Sequence, residues 1–318
     1  MQDALAPAGV QAAHIYGLWQ FTLIVCMLVF AGVLLALLVA MRKGSSARHP
    51  SPAVPNPSSA GERSAGRAVL AATLLSSAGL VVLVGADIST DRALSRLAVD
   101  DALHIRMVGH SWWWEVSYGA EGQPPDFKLA NELHVPVGRP VVIALDSVDV
   151  IHTFWVPNLH GKKDMLPGRP TTIEFRADKP GVYRGQCAEF CGQEHALMAL
   201  SVTAESPEDF AAWEASQRAP AAQPSDAEAL RGQAIFMSGT CAQCHAIKGT
   251  SAQGTLGPDL THLASRTTIA AGAIANTPSE LAAWIVDPQA KKPGSWMPTN
   301  PLAPDDVRAL VAYLGTLQ

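Results

Sequence analysis

The feature that most constrains the fold is a run of 27 residues, 15–41, that contains no Asp, Glu, Lys or Arg. As an α-helix rising about 1.5 Å per residue, it would cross a bilayer core of about 30 Å with tilt to spare. A second uncharged run of 19 residues covers 68–86. The first is too long for a signal peptide and no basic residue precedes it, and the second is longer than most buried soluble helices. The sequence therefore predicts a hairpin of two transmembrane helices, at about 15–41 and 68–86.

The distribution of basic residues orients this hairpin. The first fourteen residues carry none, whereas the connecting segment holds five: Arg42, Lys43, Arg48, Arg63 and Arg67. Because basic loops stay on the cytoplasmic side, both the N-terminus and everything after Asp87 are expected on the outer side. The predicted location is a bacterial plasma membrane, crossed twice, with the later domains on the periplasmic side and in contact with lipid only through the hairpin.

The region after the hairpin has the pattern of an all-β sandwich or barrel. Short stretches rich in Val, Ile and aromatic residues alternate with Gly, Pro and Asp turns. The candidate strands are 104–108, 112–118, 132–135, 141–145, 171–175, 181–185 and 197–203. Ser206-Pro207-Glu208-Asp209 then opens a short helix with a plausible cap. Residues 91–215 hold eleven basic and eighteen acidic residues, so this domain is acidic.

A Pro/Ala/Gln stretch at 216–226 (SQRAPAAQPSD) lacks apolar periodicity and is predicted to be a linker. Helical signals follow it. Thr277 and Glu280 have capping-box spacing, and Pro304 precedes an apolar face. The predicted organisation is an N-terminal tail and hairpin at 1–90, a β domain at 91–215, the linker, and a small all-α domain at 227–318.

Four of the five cysteines lie in two metal signatures, and Cys26 lies within the first apolar run. The first signature, CAEFCGQEHALM at 187–198, has the spacing C-x3-C-x3-H-x2-M, and His152 precedes it by 35 residues. Thiolate, imidazole and thioether ligands suit copper. A single-copper carrier needs one thiolate, so the pair Cys187 and Cys191 favours two bridged copper ions. A zinc site or a disulfide is the alternative, but zinc would leave Met198 unexplained.

The second signature is CAQCH at 241–245, the C-x-x-C-H pattern that attaches haem through two thioethers and places the histidine beneath the iron. It predicts covalent haem c at Cys241, Cys244 and His245. A redox thiol pair or half of a zinc finger is the alternative, but no second Cys pair is left for zinc outside the copper signature, and no thioredoxin-like βαβ pattern surrounds the motif. The sixth ligand would come from further along the chain, where Met297 and His262 are the candidates.

The region 15–215 closely resembles subunit II of the haem-copper cytochrome c oxidases. The resemblance rests on GHSWWWEVSY at 109–118, DVIHTFWVP at 149–157, KKDMLPGR at 162–169 and the copper loop at 187–198. It implies a cupredoxin-like fold and a dinuclear CuA centre. Met198 would be the weak ligand on the copper that carries His152. The Glu189 carbonyl would serve the copper that carries His195, and the Glu189 carboxylate would bind magnesium at the boundary with subunit I.

The resemblance also implies that electrons enter at the first aromatic of the WWW cluster, Trp112. A core or interface role for Trp112 stays open, because a fused haem could move the site at which electrons enter. The family places a glutamate before the second helix in an E-x-x-W-T pattern, at the mouth of a proton channel. Glu62 is the only candidate here and lacks the Trp, so that role is not transferred.

The C-terminal region resembles class I cytochrome c through GPDLTHL at 257–263 and Met297-Pro298. This likeness favours Met297 as the sixth ligand and implies that the Pro258 carbonyl orients the His245 ring. The domain order resembles subunit II of caa-type oxidases. It implies an oxidoreductase and translocase subunit that passes electrons from cytochrome c, through haem c and CuA, to the oxygen site of subunit I, beside subunit III. No role with nucleic acid is expected.

Two rival functions remain at this point. One is the same electron path in a copper-containing nitric oxide reductase, whose discriminating residues would lie in subunit I. The other is a copper-binding or metallochaperone module, which has no need of haem and is therefore disfavoured by CAQCH.

Overall fold

The computed structural model describes residues 2–45, 60–120 and 122–318, which form two compact units. One unit, Ala13–Arg96, consists of two long helices. Helix α1 covers Val10–Ser45 and α2 covers Ala60–Leu94. Among the described residues both are long and apolar enough to cross a membrane. They extend beyond the predicted spans 15–41 and 68–86 because an uncharged run marks only the part suited to lipid, while helical hydrogen bonding continues into polar flanks. Arg48, assigned to the connecting loop, lies outside the described residues.

The other unit, Met1–Ala12 with Leu97–Gln318, contains a β domain (residues 103–218) and a helical domain (residues 227–318). The β domain has ten strands: β1 Leu103–His110, β2 Trp113–Tyr118, β3 Phe127–Ala130, β4 Glu132–Pro136, β5 Pro140–Ser147, β6 His152–Phe154, β7 Lys163–Met165, β8 Thr171–Arg176, β9 Gly181–Gln186 and β10 Ala199–Glu205. Helix α3, Pro207–Arg218, follows, and the Ser206 hydroxyl caps it by accepting from the Asp209 N–H at 3.1 Å. The predicted sandwich is confirmed.

The strands form a five-stranded sheet in the order β3-β2-β1-β5-β8, a three-stranded sheet in the order β4-β10-β9, and a β6-β7 hairpin. Alternate residues of both larger sheets point into one core, which includes Trp114, Val116, Ile143, Leu133 and Val202. Strands β3, β6 and β7 were not predicted, since three or four residues are too few to show alternation. Residues 197–198 were predicted as strand, but residue 197 ends a 3-10 turn, His195–Leu197, and β10 begins at 199.

The helical domain contains α4 Ala227–Ser238, α5 Cys241–Cys244, α6 Pro278–Val286, α7 Pro288–Lys291, α8 Pro304–Leu314 and a short pair of strands, β11 Thr268–Ile269 and β12 Ile274–Ala275. Thr277 caps α6 by accepting from the Glu280 N–H at 3.3 Å, as its spacing predicted. Helices α4 and α8 cross at Gly232, where an added Cβ would lie 1.9 Å from the Ala309 carbonyl oxygen. The crossing therefore requires glycine.

The connection between the two domains is partly structured. Residues 216–218, the start of the predicted linker, form the last turn of α3, where Arg218 pairs with Glu214 at 3.1 Å. Gln and Arg favour helix even where no apolar periodicity marks one. Ala221 is buried and its N–H donates to the Lys248 carbonyl at 3.0 Å. The helical domain thus packs against the segment that connects it to the β domain.

The segment before α1 is bound to the β domain. The Ala8 N–H donates to the Asn158 carbonyl at 2.8 Å, and the Asn158 side-chain amide donates to the Ala6 carbonyl at 2.9 Å. Gln11, which is buried, accepts from the Arg176 N–H at 3.2 Å. These contacts join the segment before α1 to the β domain within one compact unit.

Candidate metal centres

The copper loop, residues 187–198, connects β9 to β10 and brings together the donors that the sequence singled out. One donor atom each from His152, Cys187 and Cys191 lies within 4.8 Å of the others, and all three residues are buried. His152 begins β6 beside the loop, with Nδ1 3.8 Å from Cys187 Sγ. The His195 Nδ1 lies 3.5 Å from Cys191 Sγ. Two thiols therefore lie between two imidazoles.

Two weaker donors complete the arrangement. The Glu189 carbonyl oxygen lies 3.2 Å from Cys187 Sγ, and the Met198 thioether lies 3.9 Å from Cys191 Sγ. Met198 is fully buried. Thiolate, imidazole and thioether groups at this spacing suit copper better than zinc, which takes no thioether ligand. The residues fit the copper centre that the sequence predicts.

Asp149, which sequence reasoning did not single out, holds the His152 ring. Its carboxylate accepts from His152 Nε2 at 2.9 Å and from the Ser111 N–H at 2.7 Å, so Nδ1 is the ring nitrogen left for a metal. Gly109 packs under the same ring, where an added Cβ would lie 2.7 Å from His152 Cδ2. An acidic residue three positions before a ligand histidine is the signal that could have identified Asp149.

The pKa values of Cys187, Cys191, His152 and Asp149 are coupled by the hydrogen bonds among these four side chains. The hydrogen bond with Cys191 lowers the pKa of the Cys187 thiol to about 3, and the same pairing raises the pKa of Cys191. Burial disfavours a charged His152, but hydrogen bonds with Cys187 and Asp149 outweigh it and raise its pKa. Burial likewise opposes a charged Asp149, yet the bonds it accepts lower its pKa. One thiol is thus ready to bind a cation without loss of a proton.

Trp112 lies against the copper loop. Its indole Nε1–H donates to the Cys191 carbonyl at 2.8 Å, and its ring lies over Gly192, where an added Cβ would be 3.1 Å from Cζ2. Trp114 is fully buried in the sandwich core, and Trp113 stacks on His110. The three indoles therefore have different surroundings, and only Trp112 is hydrogen-bonded to the copper loop.

The haem signature lies on α5 of the helical domain. The His245 Nδ1–H donates to the Pro258 carbonyl at 2.7 Å, which leaves Nε2 for a metal. Burial lowers the pKa of His245 and favours the neutral ring that binds iron. Gly257 lies on the ring itself, since an added Cβ there would be 2.6 Å from His245 Cε1. Cys241 and Cys244 are the two ends of the short helix α5, which His245 directly follows, so these residues fit haem attachment.

The two candidates for the sixth ligand differ in their surroundings. His262 is buried and both ring nitrogens face carbonyls, Nδ1 that of Gln318 at 2.7 Å and Nε2 that of Ala219 at 3.2 Å. Both nitrogens of His262 are therefore occupied by contacts with Gln318 and with Ala219 of the interdomain connection. Met297 lies half-buried in the segment between α7 and α8. This favours Met297 over His262.

The helical domain packs directly on the copper loop. The Ala199 N–H, one residue after Met198, donates to the Ala271 carbonyl at 2.9 Å. Gly294 lies so close to Gln193 that an added Cβ would be 2.7 Å from its Oε1. Lys292 donates into the β domain at the same place. The domain that carries the haem motif therefore touches the copper loop directly.

Comparisons with known proteins match both domains. Residues 119–205 match the family model described as cytochrome c oxidase subunit II, periplasmic domain, and residues 229–318 match that described as cytochrome c. Cytochrome c oxidase subunit 2 of Alkalihalophilus pseudofirmus is 38% identical over 220 residues, 69% of this chain and 62% of its own length. That of Bacillus subtilis is 30% identical over 232 residues, 69% of this chain and 63% of its own. The chain thus spans less than two thirds of the length of these relatives.

Among solved structures, the periplasmic domain of subunit II of cytochrome oxidase from Bradyrhizobium japonicum is 31% identical, with a TM-score of 0.35. The match covers 38% of this chain and 97% of that one.

Two apolar helices, a cupredoxin-like domain with a copper donor set and a helical domain with a haem attachment motif define a membrane-associated copper and haem protein. The family follows from the matches to both domains. The chain belongs to the cytochrome c oxidase subunit II family and carries a cytochrome c domain at its C-terminal side. These families imply that it binds copper and haem c.

Proposed function

We propose that this chain is the electron-transfer subunit of a caa-type terminal oxidase. Cytochrome c would deliver electrons to the haem domain, and the copper loop would pass them to subunit I, where oxygen is reduced to water and protons are pumped. The observation that carries the proposal is the contact between Ala271 of the helical domain and Ala199 at the end of the copper loop. A direct contact between the helical domain and the copper loop supports a short electron path between the two centres.

In this proposal Cys187 and Cys191 would be shared thiolate ligands of two copper ions, and His152 and His195 would each hold one of the ions. Met198 would be the weak ligand on the copper of His152, and the carbonyl of Glu189 would serve the other. The copper pair, when bound, would accept and release one electron at a time. Two thiols within 4.8 Å of each other and of a histidine nitrogen support the bridging role. The Glu189 carboxylate would bind magnesium towards subunit I.

At the second centre, Cys241 and Cys244 would form the two thioether bonds, and His245 and Met297 would be the iron ligands. Haem, when bound, would supply a one-electron carrier. The hydrogen bond from His245 Nδ1 to Pro258 fixes the ring plane and the tautomer. Met/His ligation raises the reduction potential, which suits acceptance of electrons from another cytochrome.

The topology proposed is two-pass, in a bacterial plasma membrane, with both metal-binding domains outside and subunits I and III as neighbours in the membrane. Support comes from the N-terminal segment, where Ala8 and Gln11 bind the β domain. A chain that crosses the membrane twice returns to the side on which it began, so this contact agrees with an outer N-terminus.

The test is to purify the complex that contains this chain and to measure oxygen uptake with reduced cytochrome c. We expect uptake that is sensitive to cyanide, together with haem c and CuA absorption. Turnover of nitric oxide without oxygen uptake would support the reductase instead. Exchangeable copper with no haem attached would support a copper-delivery role.

A further inference from the structure

Lys292 lies just after α7 of the helical domain and is only 3% exposed. Its ammonium donates to the carbonyls of Trp112 at 2.7 Å and Leu197 at 2.8 Å, with Ala270 of its own domain at 3.4 Å. A lysine side chain has three donors and no acceptor, so these three carbonyls satisfy it fully. Two of the three partners belong to the β domain.

Both of these partners adjoin the copper ligands. Leu197 directly precedes Met198, and the Trp112 indole donates to the carbonyl of Cys191. On the other side, Lys292 precedes Met297 by five residues. The lysine therefore lies on a short run of bonds and hydrogen bonds that leads from the proposed iron ligand to the copper loop.

Burial of an ammonium group costs free energy, so the buried position of Lys292 must be offset by the contacts that it makes. Desolvation lowers the pKa of Lys292 to about 8, although Glu194 and Cys191 attract the positive charge. The neighbouring Lys291 is different, because its side chain is 34% exposed and pairs with Glu280 inside the helical domain at 2.7 Å. Two adjacent lysines thus have separate surroundings, one at the interface and one on the surface.

A second charged contact lies at the same interface. Arg266 of the helical domain is 3.7 Å from the Glu132 carboxylate, and the two side chains are 5% and 16% exposed. A third contact is made by Ala271, which falls between Arg266 and Lys292 in the sequence. Its carbonyl accepts from the Ala199 N–H. The interface is therefore made by charged donors and backbone groups, whose bonds depend on direction as well as distance.

We propose that Lys292 is a positioning residue that locks the cytochrome domain onto the copper loop through the carbonyls of Trp112 and Leu197, so that electrons cross within the chain at this contact. The electron-transfer part rests on the proposed function. One electron would move from haem to the copper pair, with no bond made or broken. Since tunnelling slows exponentially with distance, a fixed contact gives a fast and uniform rate.

The experiment compares Lys292→Met with Lys291→Met in the purified complex. Both variants lose one ammonium, but only the first loses hydrogen bonds across the interface, those to Trp112 and Leu197. The first measurement is hydrogen exchange of the segment 193–200, because the Ala199 N–H is protected across the interface. The second is the rate of electron transfer from haem c to copper after flash reduction by a ruthenium reagent. Copper and haem spectra check that both centres are intact.

For Lys292→Met we expect exchange in 193–200 to rise by at least about tenfold, which is the effect of losing even one charged hydrogen bond on a docking equilibrium. Electron transfer should slow with unchanged spectra, while Lys291→Met matches the wild type. Wild-type exchange and wild-type transfer in Lys292→Met would overturn the proposal. Absence of haem-to-copper transfer in the wild type would instead refute the proposed function, and the exchange result would still decide the docking role.

Discussion

Two of the strong donors at the copper loop, His152 and Cys191, have neighbours that limit their movement. Asp149 fixes the His152 ring from behind, and Gly109 leaves room for that ring. The Cys191 backbone is held by the Trp112 indole. Such partners reduce the motion of the ligands and thereby favour a site with low reorganisation during electron transfer.

The bridging role of the second cysteine can be tested with Cys191→Ser. Loss of a residue that only orients a ligand costs about 10–100-fold in metal affinity, so loss of a bridging thiolate should cost more than about a hundredfold. The purple absorption and the mixed-valence EPR signal should disappear while haem c remains. Cys26→Ser, at an exposed cysteine of α1, is the control and should leave both unchanged. A normal EPR signal in Cys191→Ser would contradict the dinuclear assignment.

The crossing of α4 and α8 fixes the shape of the helical domain. Phe236 and Tyr313 meet in this core at a centroid distance of 5.9 Å, and Gly232 allows the two helix backbones to approach. Apolar periodicity in α8 predicted that helix, whereas the close crossing had no sequence signal beyond one glycine in α4. A glycine inside a helix is tolerated at a cost, and here close packing gives the reason.

Gly232→Ala should separate α4 from α8, because the new Cβ would overlap the Ala309 carbonyl. Overpacking of this kind typically destabilises by about 1–3 kcal/mol, which outweighs the better helix propensity of alanine. Thermal unfolding followed by the haem c absorption should show a lower Tm. Ala234→Ser, on the exposed face of α4, serves as the control and should change Tm little. An unchanged or higher Tm in Gly232→Ala would show that α4 and α8 can move apart without loss of stability.

At the scale of the whole molecule, stability should depend on pH through His160, a half-buried histidine of the β domain. Burial lowers the pKa of His160, whose Nδ1 has no hydrogen-bond partner among the described residues. Its folded pKa lies below the unfolded value of 6.5, so the unfolded state binds protons more readily. Stability is fully present above pH 6.5 and is lost as pH falls below it.

We therefore expect the Tm of the complex to fall between pH 7 and pH 5, and His160→Gln to reduce that slope. One proton contributes at most about 1.4 kcal/mol per pH unit. His14→Gln, at an exposed position near the start of α1, is the matched control and should retain the wild-type slope. Equal slopes in the wild type and His160→Gln would mean that other groups govern the acid loss.

The sequence by itself determined the elements with strong local signals. Uncharged length predicted both long helices, cap residues such as Ser206 and Thr277 predicted helix starts, and alternation predicted the longer strands. Spacing also identified the donors of both metal signatures, because ligands that lie close along the chain must satisfy the geometry of one ion. The short strands and the last turn of α3 were not predicted, since three or four residues are too few to show a periodic pattern.

Only the tertiary structure decided how distant residues meet. It brought Asp149 behind His152, committed His262 to carbonyls, and placed Lys292 on the copper loop. The dipeptide of Lys291 and Lys292 looks like ordinary surface charge in sequence. Which of the two is buried depends on the packing of one domain on the other, and contacts across 95 and 180 residues leave no local pattern that a sequence could display.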